Sequence, residues 1–318
     1  MVLRVQMQTK NLRVFALLVI LAIALCVLIA QHRYQLKTFI ASGPIGTAYV
    51  KYWRDGKDFD ADHLITTLDN GMKIIVNKHD NAVCLSIRTT GHWDHAEKKV
   101  IDKLIKPGFN VVEVGANFGA LTLQMAGLVG EHGNIYAFEA NPNVSKYLKQ
   151  SVSMNHLDDR IHVFEMAASN KDYAGFMVYG EANIGGGFIL PDSHTAQEQC
   201  KHMHCVPIKV KTLDEVMAQK KVDVLKIDAE GAEYWILEGA TKLLANHNIM
   251  LILEWSNDMS IRNHIDPKAF IDLLQKNNFF VAVITNDGKL QEISYADLLS
   301  GASKDIVLAR DLHQFKIS

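Results

Sequence analysis

The chain has 318 residues, 48% of them hydrophobic and 21% charged, with a formal net charge of -2. That length suffices for one large buried core, and the near-neutral balance gives no basic footprint for nucleic acid. Four cysteines (Cys26, Cys84, Cys200, Cys205) are too few for a disulfide scaffold and leave the redox compartment open.

Val14 to Ala30 is an uninterrupted apolar run of about 17 residues, at the short end of what spans a bilayer. The cleavage consensus near Ile29-Ala30-Gln31 is poor, which favours an uncleaved membrane helix over a secretory signal. The expected organisation is a basic flank at 1–13, a transmembrane anchor at 14–30, a tether and β-rich segment at 31–89, and the main domain at 90–318. Within the β-rich segment, Asn70-Gly71 marks a tight turn between two extended stretches. Cys84 to Arg88 reads as a further strand, and Ala96 to Leu104 as a helix.

Asn110-Val-Val-Glu-Val-Gly-Ala-Asn-Phe-Gly-Ala120 organises the rest. Val111, Val112 and Val114 predict a buried strand, Gly115 and Gly119 a turn, and Leu121 onward a helix. Strand, glycine turn and helix make a nucleotide-binding entry, because glycines let a ligand approach backbone N–H groups. A dinucleotide fingerprint would want glycine where Asn117 and Ala120 stand, which argues against a nicotinamide-dependent oxidoreductase.

Beyond this point βα repeats predict a mostly parallel, doubly wound α/β sheet. Its later strands are expected at Asn134–Phe138, Ile161–Phe164, Val222–Ile227, Ile249–Leu253, Phe279–Thr285 and Asp305–Leu308, seven in all. Helices are expected at Val144–Met154, Ala232–Leu244 and Pro267–Lys276. Residues 171–211 interrupt the alternation with glycines and short extended pieces. Glu139 closes the second strand, where such domains place a carboxylate for the two ribose hydroxyls; an exposed strand-end acid is the alternative. Lys226-Ile-Asp-Ala-Glu-Gly-Ala-Glu233 falls at a carboxyl strand end, the ligand edge of an open sheet. Asp228 should point into the cleft, whereas Glu233 suits the first turn of a helix. Cys200-Lys-His-Met-His-Cys205 fits no common zinc spacing. A plain exposed hairpin stands there ahead of a metal site or a labile disulfide, and no metal is expected.

Gly91-His-Trp-Asp94, Val112-Glu-Val-Gly-Ala-Asn-Phe-Gly119, Ala137-Phe-Glu-Ala-Asn-Pro142, Thr212-Leu-Asp214 and Lys226-Ile-Asp-Ala-Glu-Gly-Ala-Glu233 together resemble the FkbM family of S-adenosylmethionine (SAM) methyltransferases. Glu113 stands where that family usually has Asp, and Asp94 where it often has Glu. The resemblance implies a class I, Rossmann-like SAM-methyltransferase fold and O-methylation of a sugar, glycolipid or similar hydroxylated metabolite. It implies a cofactor site of Glu113, Gly115, Asn117, Gly119, Glu139, Asn141 and Ala167, with Glu113 facing the methionine end. Asp228 is expected to act as base or orienting group, with Lys226 tuning it and Glu230 as the second candidate. Asn183 and Gly186 on the glycine-rich insertion, and His92, are expected to face the acceptor. The charge bias around 14–30 favours a domain across the membrane from a cytosolic N-terminus. The cytosolic origin of SAM favours the opposite, and a single-pass protein with a cytosolic catalytic domain is expected.

Overall fold

The computed structural model describes residues 56–180, 183–301 and 303–312. The apolar run at 14–30 lies outside the described residues; among those described, no helix is long and apolar enough to cross a membrane.

A mixed eight-stranded sheet forms the centre. Its middle strand, β4 (Asn110–Val114), lies parallel between β5 (Asn134–Phe138) and β11 (Val224–Ile227). Val111, Val112 and Val114 are buried on both faces, which is why this strand reads as a continuous apolar run and not an alternation. β6 (Ile161–Phe164) extends the sheet beyond β5, and β12 (Met250–Trp255) extends it beyond β11. The chain therefore switches direction between β4 and β11, the place where open α/β sheets bind ligands.

Antiparallel β15 (Lys304–Ala309) and β13 (Phe280–Ile284) continue past β12. The eighth strand, β14 (Leu290–Glu292), was not expected: three residues, two of them exposed polar, carry no hydrophobic pattern. Two cores cover the faces. One holds α2 (His95–Leu104), α3 (Ala120–Val129) and α4 (Pro142–Met154). The other holds α6 (Leu213–Val216), α7 (Glu233–Glu238), α8 (Thr241–Leu244) and α10 (Pro267–Lys276).

The Asn70-Gly71 turn joins β2 (His63–Thr67) to β3 (Lys73–Asn77), beside the short β1 (Lys57–Asp58). Ile74, Ile75 and Val76 are fully buried with Val111 and Ile135. Residues 56–89, expected to precede the domain, thus supply part of its core.

Three expectations are corrected. Cys84 to Arg88 is not a strand; it lies in α1 (Val83–Thr90), where Asp80 accepts the N–H groups of Ala82 and Cys84 and holds the helix start. The helix expected over 232–244 is broken into α7 and α8. A Cβ on the intervening Gly239 would lie 2.0 Å from the Ser169 carbonyl oxygen. Residues 171–211 are not short pieces but long strands, β8 (Tyr173–Gly180), β9 (Asn183–Pro191) and β10 (His204–Lys211). With β7 (Ala167–Ala168) they form a second sheet, in the order β7-β10-β8-β9.

Cys200 and Cys205 form a disulfide, with Cα atoms 5.4 Å apart, and not a plain hairpin. Helix α5 (His194–Gln199) ends just before Cys200 and β10 begins at His204, so the turn itself brings the sulfurs together. His202 lies in that turn and does not alternate with His204 on a strand.

Candidate active site

The glycine turn after β4 is held from three sides. Gly115 and Ala116 donate their N–H groups to the Phe138 carbonyl at the end of β5, each at 3.0 Å. Asp228 donates its N–H to the Val114 carbonyl. Gly115 has φ +87°, and a Cβ there would lie 1.9 Å from the Asp228 carbonyl oxygen, so only glycine fits. Gly119 (φ +93°) starts α3, which has no side-chain cap. Its tight neighbour is Leu148, at 2.3 Å from a notional Cβ, so this glycine serves helix packing.

Glu139 follows β5 and is 3% exposed. Its two carboxylate oxygens accept the N–H of Asn117 (2.8 Å) and of Asn141 (2.7 Å). Burial pushes its pKa up to about 7, against the pull of those two donors. The carboxylate lines a cavity of about 570 Å3 together with Gly115, Phe138, Ala167 and Asp228. Asn141, expected at the cofactor, does not line it. It caps α4 by accepting the Asn143 N–H, and its amide donates to the Ile184 carbonyl.

A second cavity of about 200 Å3 is lined by Glu113, Asn117, Asn183, Gly186 and Lys226, among others. Gly115, Gly185, Asp228 and Glu230 line both cavities, so one ligand can span them. The start of β9 covers the junction. Ile184 is held by Asp80, which accepts its N–H, and by Asn141. Gly185 lies against Asn117 so closely that a Cβ would be 2.0 Å from its amide nitrogen.

Lys226 carries the one buried cation of the smaller cavity, at 1% exposure. Its Nζ lies 3.6 Å from Glu97 and 3.5 Å from Asp228. Burial alone would lower its pKa, but the surrounding carboxylates of Glu97, Asp228, Glu113 and Asp305 outweigh it and keep it protonated. Glu113, its cross-strand neighbour, accepts the Thr122 hydroxyl; burial raises it to about 7, partly opposed by Lys226. The Asp228 side chain is 37% exposed and stands where both cavities meet.

Glu230 (φ +52°) also lines both cavities, and burial beside Asp228 raises its pKa. Glu233 is taken up locally: its carboxylate accepts the N–H groups of Ala229 and Gly231 and closes the loop. His92 is a correction. It lines neither cavity, sits 3.2 Å from Asp69 on the hairpin turn and packs against His95. Its neighbour Trp93 reaches the smaller cavity instead.

Glu97, Glu254 and Asp305 had not been singled out for this site. Glu97 had a signal: it stands on the buried stripe of α2 with Val100, Ile101 and Leu104, where an acid needs a partner. Glu254 and Asp305 face each other in register on β12 and β15. Burial raises them to about 8 and about 6 respectively.

A sequence model of the methyltransferase FkbM domain matches residues 113–281. Among solved structures, the chain is similar to an FkbM methyltransferase from Methylobacillus flagellatus KT, at 13% identity and TM-score 0.41. That match covers 70% of this chain and 52% of the other, so the chain spans about half the length of that relative. An O-methyltransferase from Bacillus cereus, solved with SAH, aligns at 15% identity and TM-score 0.41 over 68% of this chain and 80% of its own.

Proposed function

Because the chain belongs to the FkbM methyltransferase family, we propose that it transfers the methyl group of SAM to a hydroxyl of a sugar, glycolipid or similar acceptor. The observation that carries this reading is the shared junction: Glu139 and Gly115 line one cavity, Glu113 and Lys226 the next, and Asp228 belongs to both. Gly115 and Gly185 let Asp228 and Asn117 close in around the junction, since a side chain at either glycine would collide with them. Glu139 would hold the ribose hydroxyls, Ala167 the adenine side, and Glu113 with Asn117 the methionine end.

SAM supplies a methyl group already activated on a sulfonium, so the protein's task is placement and proton management. Asp228 receives the acceptor hydroxyl as a hydrogen bond to its carboxylate and takes the proton as the oxygen–methyl bond forms. Lys226, held by Glu97 on its other side, pairs with Asp228 and keeps its carboxylate at the cavity junction. Glu230 is the second carboxylate within the same space.

The run at 14–30 supports a single membrane pass. The Cys200–Cys205 disulfide is at home in an oxidising compartment and sides with the flanking-charge bias, against the cytosolic placement expected from SAM supply alone. The domain on this reading faces the oxidising side and draws on SAM delivered there. Protease treatment of sealed, right-side-out membranes decides the topology. Intact-mass analysis of surface glycans and lipids from cells with the wild-type enzyme or Asp228→Asn tests the reaction. A methyl increment that depends on Asp228 supports it; identical spectra remove O-methylation of those acceptors.

A further inference from the structure

The end of the larger cavity remote from Glu139 is built differently from the rest. Along the carboxyl edge of the sheet stand Glu139 after β5, Gly115 after β4 and Asp228 after β11. Next beyond β12 comes α9 (Asn257–Arg262), and Arg262, Asn263 and His264 at its end line the cavity. The cofactor residues thus lie on one side of Asp228, and this cationic corner on the other.

Arg262 is singular among the cavity's groups. Lys226, the other cation lining the two cavities, is buried and neutralised by Glu97 and Asp228. Arg262 makes no ion pair within 4.0 Å among the described residues, although Glu230 and Asp228 line the same space. Its Nε makes one long hydrogen bond, 3.4 Å, to the Asp258 carbonyl one turn back. Asp228 is already paired with Lys226, and Glu230 feels Arg262 only at longer range, so the guanidinium is available to a ligand.

The corner is also fixed in place. Asn263 donates its side-chain N–H to the Glu230 carbonyl at 3.3 Å. A Cβ on Gly231 would lie 2.3 Å from the same Asn263 amide. The end of α9 is therefore seated directly on the loop that carries Asp228, and Arg262 keeps its distance from the base as the loop keeps its shape. Phe188, 38% exposed, and Trp235 line the same cavity and offer it apolar rings.

Resting on the methyl-transfer reading above, we propose that this corner is an acceptor subsite for an anionic group, a carboxylate or phosphate carried by the hydroxylated substrate. Arg262 grips the anion through its planar fork of donors. Phe188 and Trp235 take the C–H faces of the ring that bears it. Fixing the anion beyond Asp228 leaves a neighbouring hydroxyl of the same ring over the carboxylate. The site then discriminates acidic from neutral sugars.

The test uses the full chain in detergent, saturated with S-adenosylhomocysteine (SAH), and ligand-observed NMR titration with glucuronate, glucose 6-phosphate and glucose. At least one anionic probe should bind ten-fold or more tightly than glucose, and its affinity should fall with added salt. Glucuronate alone binding identifies a carboxylate acceptor; glucose 6-phosphate alone identifies a phosphate. Arg262→Gln should bring the anion down to the level of glucose, and Arg262→Lys should recover part of the preference. Equal binding of all three, binding of none to SAH-loaded enzyme, or a preference that survives Arg262→Gln overturns the proposal. Failure of SAH itself to bind would instead remove the methyl-transfer reading beneath it.

Discussion

Glu139→Gln separates the charge of the acid after β5 from its shape. In the wild-type protein both carboxylate oxygens receive backbone N–H groups, from Asn117 and Asn141. The amide keeps one acceptor and turns an NH2 toward the other donor, so one buried N–H loses its partner at a cost of about 1–3 kcal/mol. The glycine turn carrying Asn117 is loosened, and the ribose hydroxyls lose a charged acceptor. Together these should weaken SAH by about ten- to a hundred-fold at pH 8, on the order of 1.5–3 kcal/mol.

The pH dependence sharpens the case. With a pKa of about 7, Glu139 passes from mostly ionised at pH 8 to mostly protonated at pH 6. If the ionised form is the one that binds, its contribution to wild-type affinity falls by roughly ten-fold across that interval. Isothermal titration of both proteins at the two pH values gives the comparison. The variant should retain only the shallower dependence left by Glu113, which titrates in the same range. Equal affinities at pH 8, or parallel pH curves for the two proteins, would remove Glu139 from the cofactor site.

Asp228→Asn should lower turnover by about 10²–10⁴-fold while SAH affinity is kept, because the isostere holds the cavity shape and cannot accept the proton; wild-type turnover would pass the role to Glu230. Gly185→Ala puts a methyl into the Asn117 side chain, and SAH affinity should fall ten-fold or more with little change in melting temperature. An unaltered affinity would show that β9 does not cover the ligand. Glu113, Glu139 and Glu233 each have a pKa raised from 4.5 to about 7 by burial. Their contribution to stability is fully present below about pH 4.5 and lost as pH rises through 7, on the order of 3 kcal/mol for each. Calorimetry of the ligand-free protein should therefore show the melting temperature falling from pH 5 to pH 8; a rise over that range would mean these carboxylates are solvated.

Where function depends on local chemistry, the chain is readable in advance. The valine run ending in Glu113-Val-Gly115 reads as a buried strand meeting a sharp turn, and Glu139 stands at the strand end where doubly wound domains place a carboxylate. The parallel part of the sheet follows from the βα rhythm; the antiparallel strands beyond β12 do not. What escapes is set by pairing between distant segments. Glu254 and Asp305 are ordinary strand residues until register places them opposite each other. Cys84 to Arg88 is too short for period to distinguish strand from helix, and the Asp80 contacts decide it. His92 lies in a family-like motif beside Trp93, yet it sits against Asp69 on the earlier hairpin turn and lines neither cavity. The long strands of 173–211 are hidden because glycines, required by close approaches at Gly175, Gly185 and Gly187, dilute their alternation.

The central claim is that the turn after β4 and the acid after β5 form a SAM cradle. Equilibrium titration of the full chain in detergent, with SAH in one series and NAD in the other, addresses it most directly. The account predicts one SAH per chain, bound in the micromolar range or tighter, and no saturable binding of NAD. Saturable NAD binding without SAH binding would contradict it.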